Sequence, residues 1–244
     1  MNLVIDIGNS RIKLAVFKNS EILHHIVVDE LHPEHIQDLL KKHADLKNVI
    51  VSSVRDYSAE LRHFLRQSFD TYIELDADTP VPITNRYKTP ESLGKDRLAA
   101  AVGATVLCPN QNVLVIDAGT AITYEFISSK HEYLGGNISP GLTTRFKALH
   151  QFTGKLPLLT ENEKTPLIGT DTESAIQSGV QMGLLFEVEK YIEHFNTIYE
   201  KLQIIITGGD AILFDKKFKK TIFVHFNLTL IGLNRILEHN VKKT

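Results

Sequence analysis

The sequence predicts an α/β protein made of two duplicated halves, and three observations carry that prediction. The first is the opening, MNLVIDIGNSRIK, where a short apolar strand ends on Asp6 and bends through Gly8, Asn9 and Ser10. A second apolar segment, RIKLAVF, returns at once. The second observation is that VLVIDAGTAITYEFI repeats this plan around Asp117, about half a chain later. The third is that each strand pair is followed by further strands alternating with helices, the signature of an α/β architecture with an internal repeat. The predicted halves are residues 1–108 and 109–244. Two duplicated lobes leave a cleft between them, the usual place for a small ligand.

The elements follow in order. Residues 2–7, 12–18 and 21–28 are rich in β-branched residues, with a KNSE turn between the last two, and read as strands. Residues 34–43 and 58–69 have helical spacing, with Ser58 a candidate N-cap for the second. NVIVSSV lies between them as a buried strand; TYIEL and VPIT are short strand candidates. TPESLGKDRLAAAVGATVL predicts a helix capped by Thr89, with Pro90 in its first turn. Its alanines and glycines predict close packing on a neighbouring element. CPNQN closes the first half. Strands are then expected at 112–117, 121–128 and 131–138, and a long helix at about 172–201. On that helix Ile176, Val180, Leu184, Val188, Ile192 and Phe195 keep mostly to one stripe. QIIIT reads as a buried strand before a GGDA turn, with a short strand at 221–224 and a helix near 229–240 to finish.

Composition narrows the function classes. The chain has 244 residues, a formal net charge of −2 and 23% charged residues, which speaks against a dedicated nucleic-acid binder. The lone Cys108 rules out an internal disulfide and fits a reducing compartment. Asp6, Asn9, Arg11 and Lys13 break the apolar run at the N-terminus, so it does not read as a signal peptide. No stretch approaches the roughly 18 apolar residues of a membrane span. The lysines near 216–220 are split by Phe218 and form no like-charge block. The expectation is a cytoplasmic protein with neither nucleic-acid nor membrane partners.

The two turns suggest phosphate chemistry. Gly8 lets a ligand approach the backbone, and Asn9, Ser10 and main-chain N–H groups can donate to phosphate oxygens. Lys13 adds a positive charge if its strand aims it at the turn. In DAGTA, Gly119, Thr120 and Ala121 repeat the arrangement, with Thr120 as hydroxyl donor. Either hairpin alone is explained by Asx-turns; the pair favours phosphate binding. TGGDA, Thr207 to Ala211, adds a Gly-Gly turn on which a flat ring or ribose can lie. There is no GxxxxGK[ST] and no GxGxxG after a strand, so neither a P-loop nor a Rossmann site is read. His32 and His35 in LHPEH lack a third ligand at a recognised spacing and read as a solvated helix start. Gly179 and Gly183 form a GxxxG on the long helix, for packing inside one lobe or at a subunit interface.

Taken together these pieces resemble the superfamily of acetate and sugar kinases, heat-shock chaperones and actin, whose fold is two duplicated actin-like (ribonuclease H-like) lobes with a nucleotide cleft between them. Along nearly the whole chain the match is to one branch, the type III pantothenate kinases. DIGNSRIK is similar to the family's first phosphate loop, with Ser10 in place of the more usual Thr. SSV at 52–54 and the Tyr87-to-Arg97 segment, with its LGKDR, resemble the substrate segment. IDAGTA resembles the second phosphate loop, and GGNISPGL at 135–142 and GTDTESAIQSG at 169–179 complete the set. Glu125 stands where the family often has Asp.

The resemblance implies ATP-dependent phosphorylation of pantothenate to 4'-phosphopantothenate, the first step of coenzyme A biosynthesis. It implies Asp96 as general base and Tyr87, Gly94, Lys95, Asp96, Arg97 and Thr172 as pantothenate-binding residues. Asp6, Ile7, Gly8, Asn9, Ser10, Arg11, Ile12, Lys13 and Thr120 would bind ATP. Asp117 would hold a monovalent cation, K+ or NH4+, with Mg2+ accompanying ATP, and the protein would be a homodimer. Two other functions remain to be weighed: a kinase of another small hydroxy acid or sugar, and a catalytically silent nucleotide-binding regulator. Asp96, Arg97 and both turns speak against the regulator. GTDTESAIQSG, which general sugar kinases of the superfamily lack, speaks against the other kinase.

Overall fold

The computed structural model describes residues 1–215, 218 and 222–241. Among the described residues eleven strands and seven α-helices are assigned. In chain order the first half holds β1 (Asn2–Ile7), β2 (Ile12–Lys18), β3 (Glu21–Val28), α1 (Pro33–Lys42), β4 (Asn48–Ser53), α2 (Ala59–Ser68), β5 (Thr71–Glu74), β6 (Thr84–Asn85) and α3 (Lys95–Leu107). The second half holds β7 (Val113–Ala118), β8 (Ala121–Ile127), β9 (Glu132–Pro140), α4 (Leu142–Phe152), α5 (Thr172–Ile198), β10 (Gln203–Thr207), α6 (Ala211–Asp215), β11 (Phe223–Val224) and α7 (Leu228–Val241).

The chain forms two compact units. Unit 1 comprises Met1–Asn110, Lys130–Leu134 and Asn227–Thr244; unit 2 comprises Gln111–Ser129 and Gly135–Phe226. A single cut after residue 108 therefore differs from these units chiefly at the C-terminus. There α7 returns to pack on α3, β1 and β4 of unit 1.

Unit 1 is built on a sheet of order β3-β2-β1-β4-β5. β1 runs antiparallel to β2 and parallel to β4. Alternate residues of a strand face opposite sides, so Leu3, Ile5 and Ile7 join Leu14, Val16, Val49 and Val51 on one face. Ile36 and Leu39 of α1 and Leu61 and Leu65 of α2 close that core. The α2 cap is as its sequence predicts: Ser58 Oγ accepts from the Leu61 N–H at 3.1 Å. α1 starts at Pro33, and His35 Nδ1 accepts from the His32 N–H at 3.1 Å, a helix start made by an exposed and a half-buried histidine.

The opposite face carries α3 and α7. They cross in backbone contact, because a Cβ at Gly103 would collide with the Leu228 carbonyl and one at Gly232 with the Ala99 carbonyl. This is the close packing that the small residues of α3 foretell. Thr89 does not cap this helix. Pro90–Ser92 forms a separate 3-10 turn, Leu93 is buried, and α3 begins at Lys95 with Gly94 as its N-cap.

Unit 2 repeats the plan, with strand order β9-β8-β7-β10-β11. Position for position this is the order of unit 1, and Asp6 and Asp117 each stand fifth in a six-residue first strand. The start of β9 belongs to unit 1, where Glu132 and Tyr133 pair with β6; of VPIT only Thr84 extends as strand. Ile176, Val180, Leu184, Val188 and Ile192 of α5 bury their stripe against Leu114, Ile116 and Ile206. The sequence reading missed α4, although Leu142, Phe146 and Leu149 repeat at helical spacing. The expected strand at 221–224 begins at Thr221, outside the described residues, as does most of the lysine-rich stretch 216–220.

Candidate active site

The first turn is held by one backbone bond, Gly8 N–H to the Arg11 carbonyl at 3.1 Å. It leaves Asn9, Ser10 and Arg11 exposed, with Ile7 and Ile12 buried as anchors on either side. The antiparallel register sets Lys13 directly across from Asp6. Residues so paired point to the same face, so the cation lies beside the carboxylate. Burial pushes the Asp6 pKa up to about 6; Lys13 pulls it down and the charge of Asp96 pushes it further up. That coupling brings Asp96, 90 residues along the chain from Asp6, into the same electrostatic environment.

Asp96 sits in the first turn of α3, where helix N-termini favour negative charge. Its Oδ1 accepts from the Arg97 N–H at 2.9 Å. Gly94 makes this possible, since a Cβ there would stand 2.6 Å from Asp96 Oδ1. Arg97 is buried, and its guanidinium carbon lies 5.6 Å from the centre of the Tyr87 ring, within cation–π range. Tyr87 stacks in turn on Tyr133 at 6.0 Å. The Asp96–Arg97 pair is thus not a solvated helix-surface pair. Lys95 is half-buried and its charge acts on Asp76. Unit 1 therefore brings together Asp6, Lys13, Tyr87, Gly94, Asp96 and Arg97.

Unit 2 carries the second turn. Gly119 N–H bonds the Ala121 carbonyl at 3.0 Å, and Thr120 is exposed. The Thr120 carbonyl accepts from Thr144 Oγ1 at 2.6 Å and from the Gly141 N–H at 3.1 Å, so β8's entry is fastened to the start of α4. Gly208, with φ of +93°, lies so close that a Cβ would stand 2.5 Å from Asp117 Oδ1. The Asp210 N–H bonds the Ala118 carbonyl at 3.0 Å, joining the GGDA turn to the end of β7. A carboxylate among turn carbonyls is a hard oxygen donor set, suited to an alkali cation. The described residues contain no group of three or more His, Cys, Asp or Glu side chains that could hold a metal. Thr172, exposed, opens α5 behind its N-cap Asp171, whose side chain accepts from the Ser174 N–H at 2.9 Å. It belongs to unit 2, whereas the other acceptor-binding candidates belong to unit 1.

The burial of Glu125, already marked by its place in the family pattern, and one ion-pair network were not read from the sequence. Glu125 is fully buried, with its carboxylate against Gly136 of β9, where a Cβ would stand 2.7 Å from Oε2. In the same unit Glu187 accepts from Tyr124 Oη at 2.9 Å and pairs with Arg145, which also donates to Ser139 Oγ at 3.0 Å. This network ties β8, β9, α4 and α5 together. Its members are far apart in sequence, and no local pattern announces it.

Two units with the same strand order, each with a Gly-containing turn just after a strand whose fifth residue is Asp, have the arrangement of the actin-like fold. Solved structures support that fold. The activator of 2-hydroxyisocaproyl-CoA dehydratase from Clostridium difficile with bound ADPNP aligns at a TM-score of 0.60 and 14% identity, over 99% of this chain and 96% of that one. A conserved protein of Campylobacter jejuni described as a putative Baf family transcriptional activator aligns at 0.63 and 22%, over 98% and 99%. The sequence profile described as type III pantothenate kinase matches residues 2–194. Type III pantothenate kinases of Phocaeicola vulgatus and Bacteroides fragilis are 48% and 44% identical, over 99% and 98% of this chain and 100% and 98% of their own. The chain belongs to the type III pantothenate kinase family.

Proposed function

We infer that this protein transfers the γ-phosphoryl group of ATP to the primary hydroxyl of pantothenate, opening coenzyme A biosynthesis. The observation that carries the reading is Asp96, fixed at the N-terminus of α3 beside Arg97 and Tyr87 and coupled in charge to Asp6. Asp96 takes the hydroxyl proton as the oxygen bonds to the γ-phosphorus. The bond to the β,γ-bridging oxygen breaks and ADP leaves. Such a transfer depends on positioning and charge neutralisation more than on covalent help. Arg97, always charged, offers a fork for the pantothenate carboxylate, and Tyr87 lines its approach. The turn at Gly8–Arg11, with Lys13, supplies phosphate-binding donors in its own unit, and the turn at Thr120 supplies them in the other. Asp117 with nearby carbonyls holds K+ or NH4+, and Mg2+ travels with the nucleotide. A cytoplasmic location fits the ATP donor and the lone Cys108.

The protein acts as a two-fold dimer in this reading. Gly179 and Gly183 of α5 have nothing within 4 Å of where a Cβ would stand, so this stripe is not spent on packing within the described unit. Phe186, one turn on, is 52% exposed, and Leu167 and Ile168 are 69% and 77% exposed. A second copy of the same face would cover them, as closed two-fold interfaces do. Light scattering should give twice 27.5 kDa; a fully active monomer would remove the dimer from the account. Phosphorus NMR with ATP and pantothenate tests the chemistry itself. A new phosphomonoester signal is expected, and its absence at high enzyme concentration rejects the assignment.

A further inference from the structure

Two successive serines end β4 and meet different fates. Ser53 closes the following turn, donating to the Arg55 carbonyl. Ser52 is fully buried, yet its Oγ has no hydrogen-bond partner. Buried hydroxyls are nearly always satisfied, and an exception asks for a ligand or a partner that arrives later. An alanine or valine would suit this central strand better if the hydroxyl had no use.

Its neighbours say what that use is. The parallel register of β1 and β4 sets Ser52 beside Asp6. The antiparallel register of β1 and β2 sets Lys13 on the other side. Adjacent strands lie about 4.8 Å apart and paired residues share a face, so Lys13, Asp6 and Ser52 form one row across three strands. α3 packs over β4 on this face, with Asp96 in its first turn. Asp6 is thus a carboxylate at the phosphate turn, with a cation on one side and an unused hydroxyl on the other. A carboxylate close to incoming phosphates repels them unless a neighbouring cation and hydrogen-bond donors offset its charge.

We propose that Ser52 is a positioning residue: when nucleotide binds, its Oγ–H turns to donate to the Asp6 carboxylate, directly or through one water, and fixes that carboxylate in a single rotamer opposite Lys13. This deepens the kinase reading and rests on it, because it assigns Asp6 to the nucleotide side of the site. One χ1 step is enough to re-aim the hydroxyl.

The test compares Ser52→Ala and Ser52→Cys with the wild type in three measurements. The first is melting without nucleotide, where both variants should match or exceed the wild type, since neither leaves a hydroxyl orphaned. The second is MgADP affinity by calorimetry, where both should bind about tenfold more weakly, the size expected for a hydrogen bond to a charged group. The third is steady-state kinetics, where kcat should fall about ten- to hundredfold with KM for pantothenate unchanged within twofold. Cysteine keeps an atom at the γ position, somewhat larger than the hydroxyl oxygen, and loses the strong donor, so it must follow alanine in the nucleotide and kinetic measurements. Cysteine restoring wild-type values would show a packing effect and overturn the proposal. Unchanged MgADP affinity in Ser52→Ala would also overturn it, as would melting several degrees below the wild type. If the wild type fails to phosphorylate pantothenate, the functional reading falls while the calorimetry still decides the role of Ser52.

Discussion

Gly232→Ala tests how the fold holds Asp96 in place. The added methyl would enter the Ala99 carbonyl, and no flexible side chain intervenes to yield. Restoring an ordinary C···O contact requires α7 and α3 to separate by roughly 1.5 Å. Overpacking of this kind costs up to about 3 kcal/mol, while alanine gains about 1 kcal/mol over glycine within a helix. The net loss is about 2 kcal/mol, and for a chain of this size the melting point should fall by about 4–8 °C. Because α3 carries Asp96 at its start, a displacement of about 1 Å should also lower kcat by up to about a hundredfold. Calorimetric melting and a steady-state assay are the measurements. Gly154→Ala is the control: nothing lies within 4 Å of its new Cβ, so its stability should stay within about 0.5 kcal/mol of the wild type. A Gly232→Ala protein that melts within a degree of the wild type at full kcat would refute the packing argument.

Asp96→Asn should reduce kcat by at least about a hundredfold while leaving melting and pantothenate binding nearly unchanged; retention of more than about a tenth of kcat would remove Asp96 as the base. Activity should require K+ or NH4+ and be weak in Na+ alone, the behaviour expected if Asp117 and the turn carbonyls act together as a hard oxygen donor set; equal rates in exchanged buffers would contradict this. In protein free of metal and nucleotide, the raised pKa of Asp6 has a sign that can be checked. The native state holds this proton up to about pH 6, and the unfolded chain releases it near 3.8. The contribution is therefore full below 3.8 and lost as pH rises through about 6, amounting to about 3 kcal/mol. Asp6→Asn should thus gain on the wild type in urea-unfolding stability between pH 4 and 7, and a constant difference between the two would be evidence against the burial of a charge there.

Much of the architecture is legible because it is local. The apolar runs around Asp6 and Asp117 report strand, turn and returning strand directly, and the two sheets then repeat one order. Ser58 announces α2 through a cap that the structure contains. Legibility fails where distant residues decide. Nothing near Pro90 says that the helix waits until Lys95; the burial of Leu93 and the room Gly94 leaves for Asp96 settle it. The return of α7 to unit 1 depends on Gly103 and Gly232 meeting across 129 residues. The candidate site shows the same division. The turn residues and Asp96 are readable as motifs, whereas the row Lys13, Asp6 and Ser52 exists only once the strand registers are known.

The most direct test of the central claim is ADP release measured against a panel of acceptors in potassium buffer with MgATP. Pantothenate, glucose, N-acetylmannosamine, acetate and glycerate would each be offered at matched concentrations. The account predicts rapid ADP release with pantothenate, a kcat/KM at least about a hundredfold above any other acceptor, and one phosphate transferred per ADP formed. Equal or greater turnover of a sugar or another hydroxy acid, or nucleotide binding without turnover of pantothenate, would contradict it.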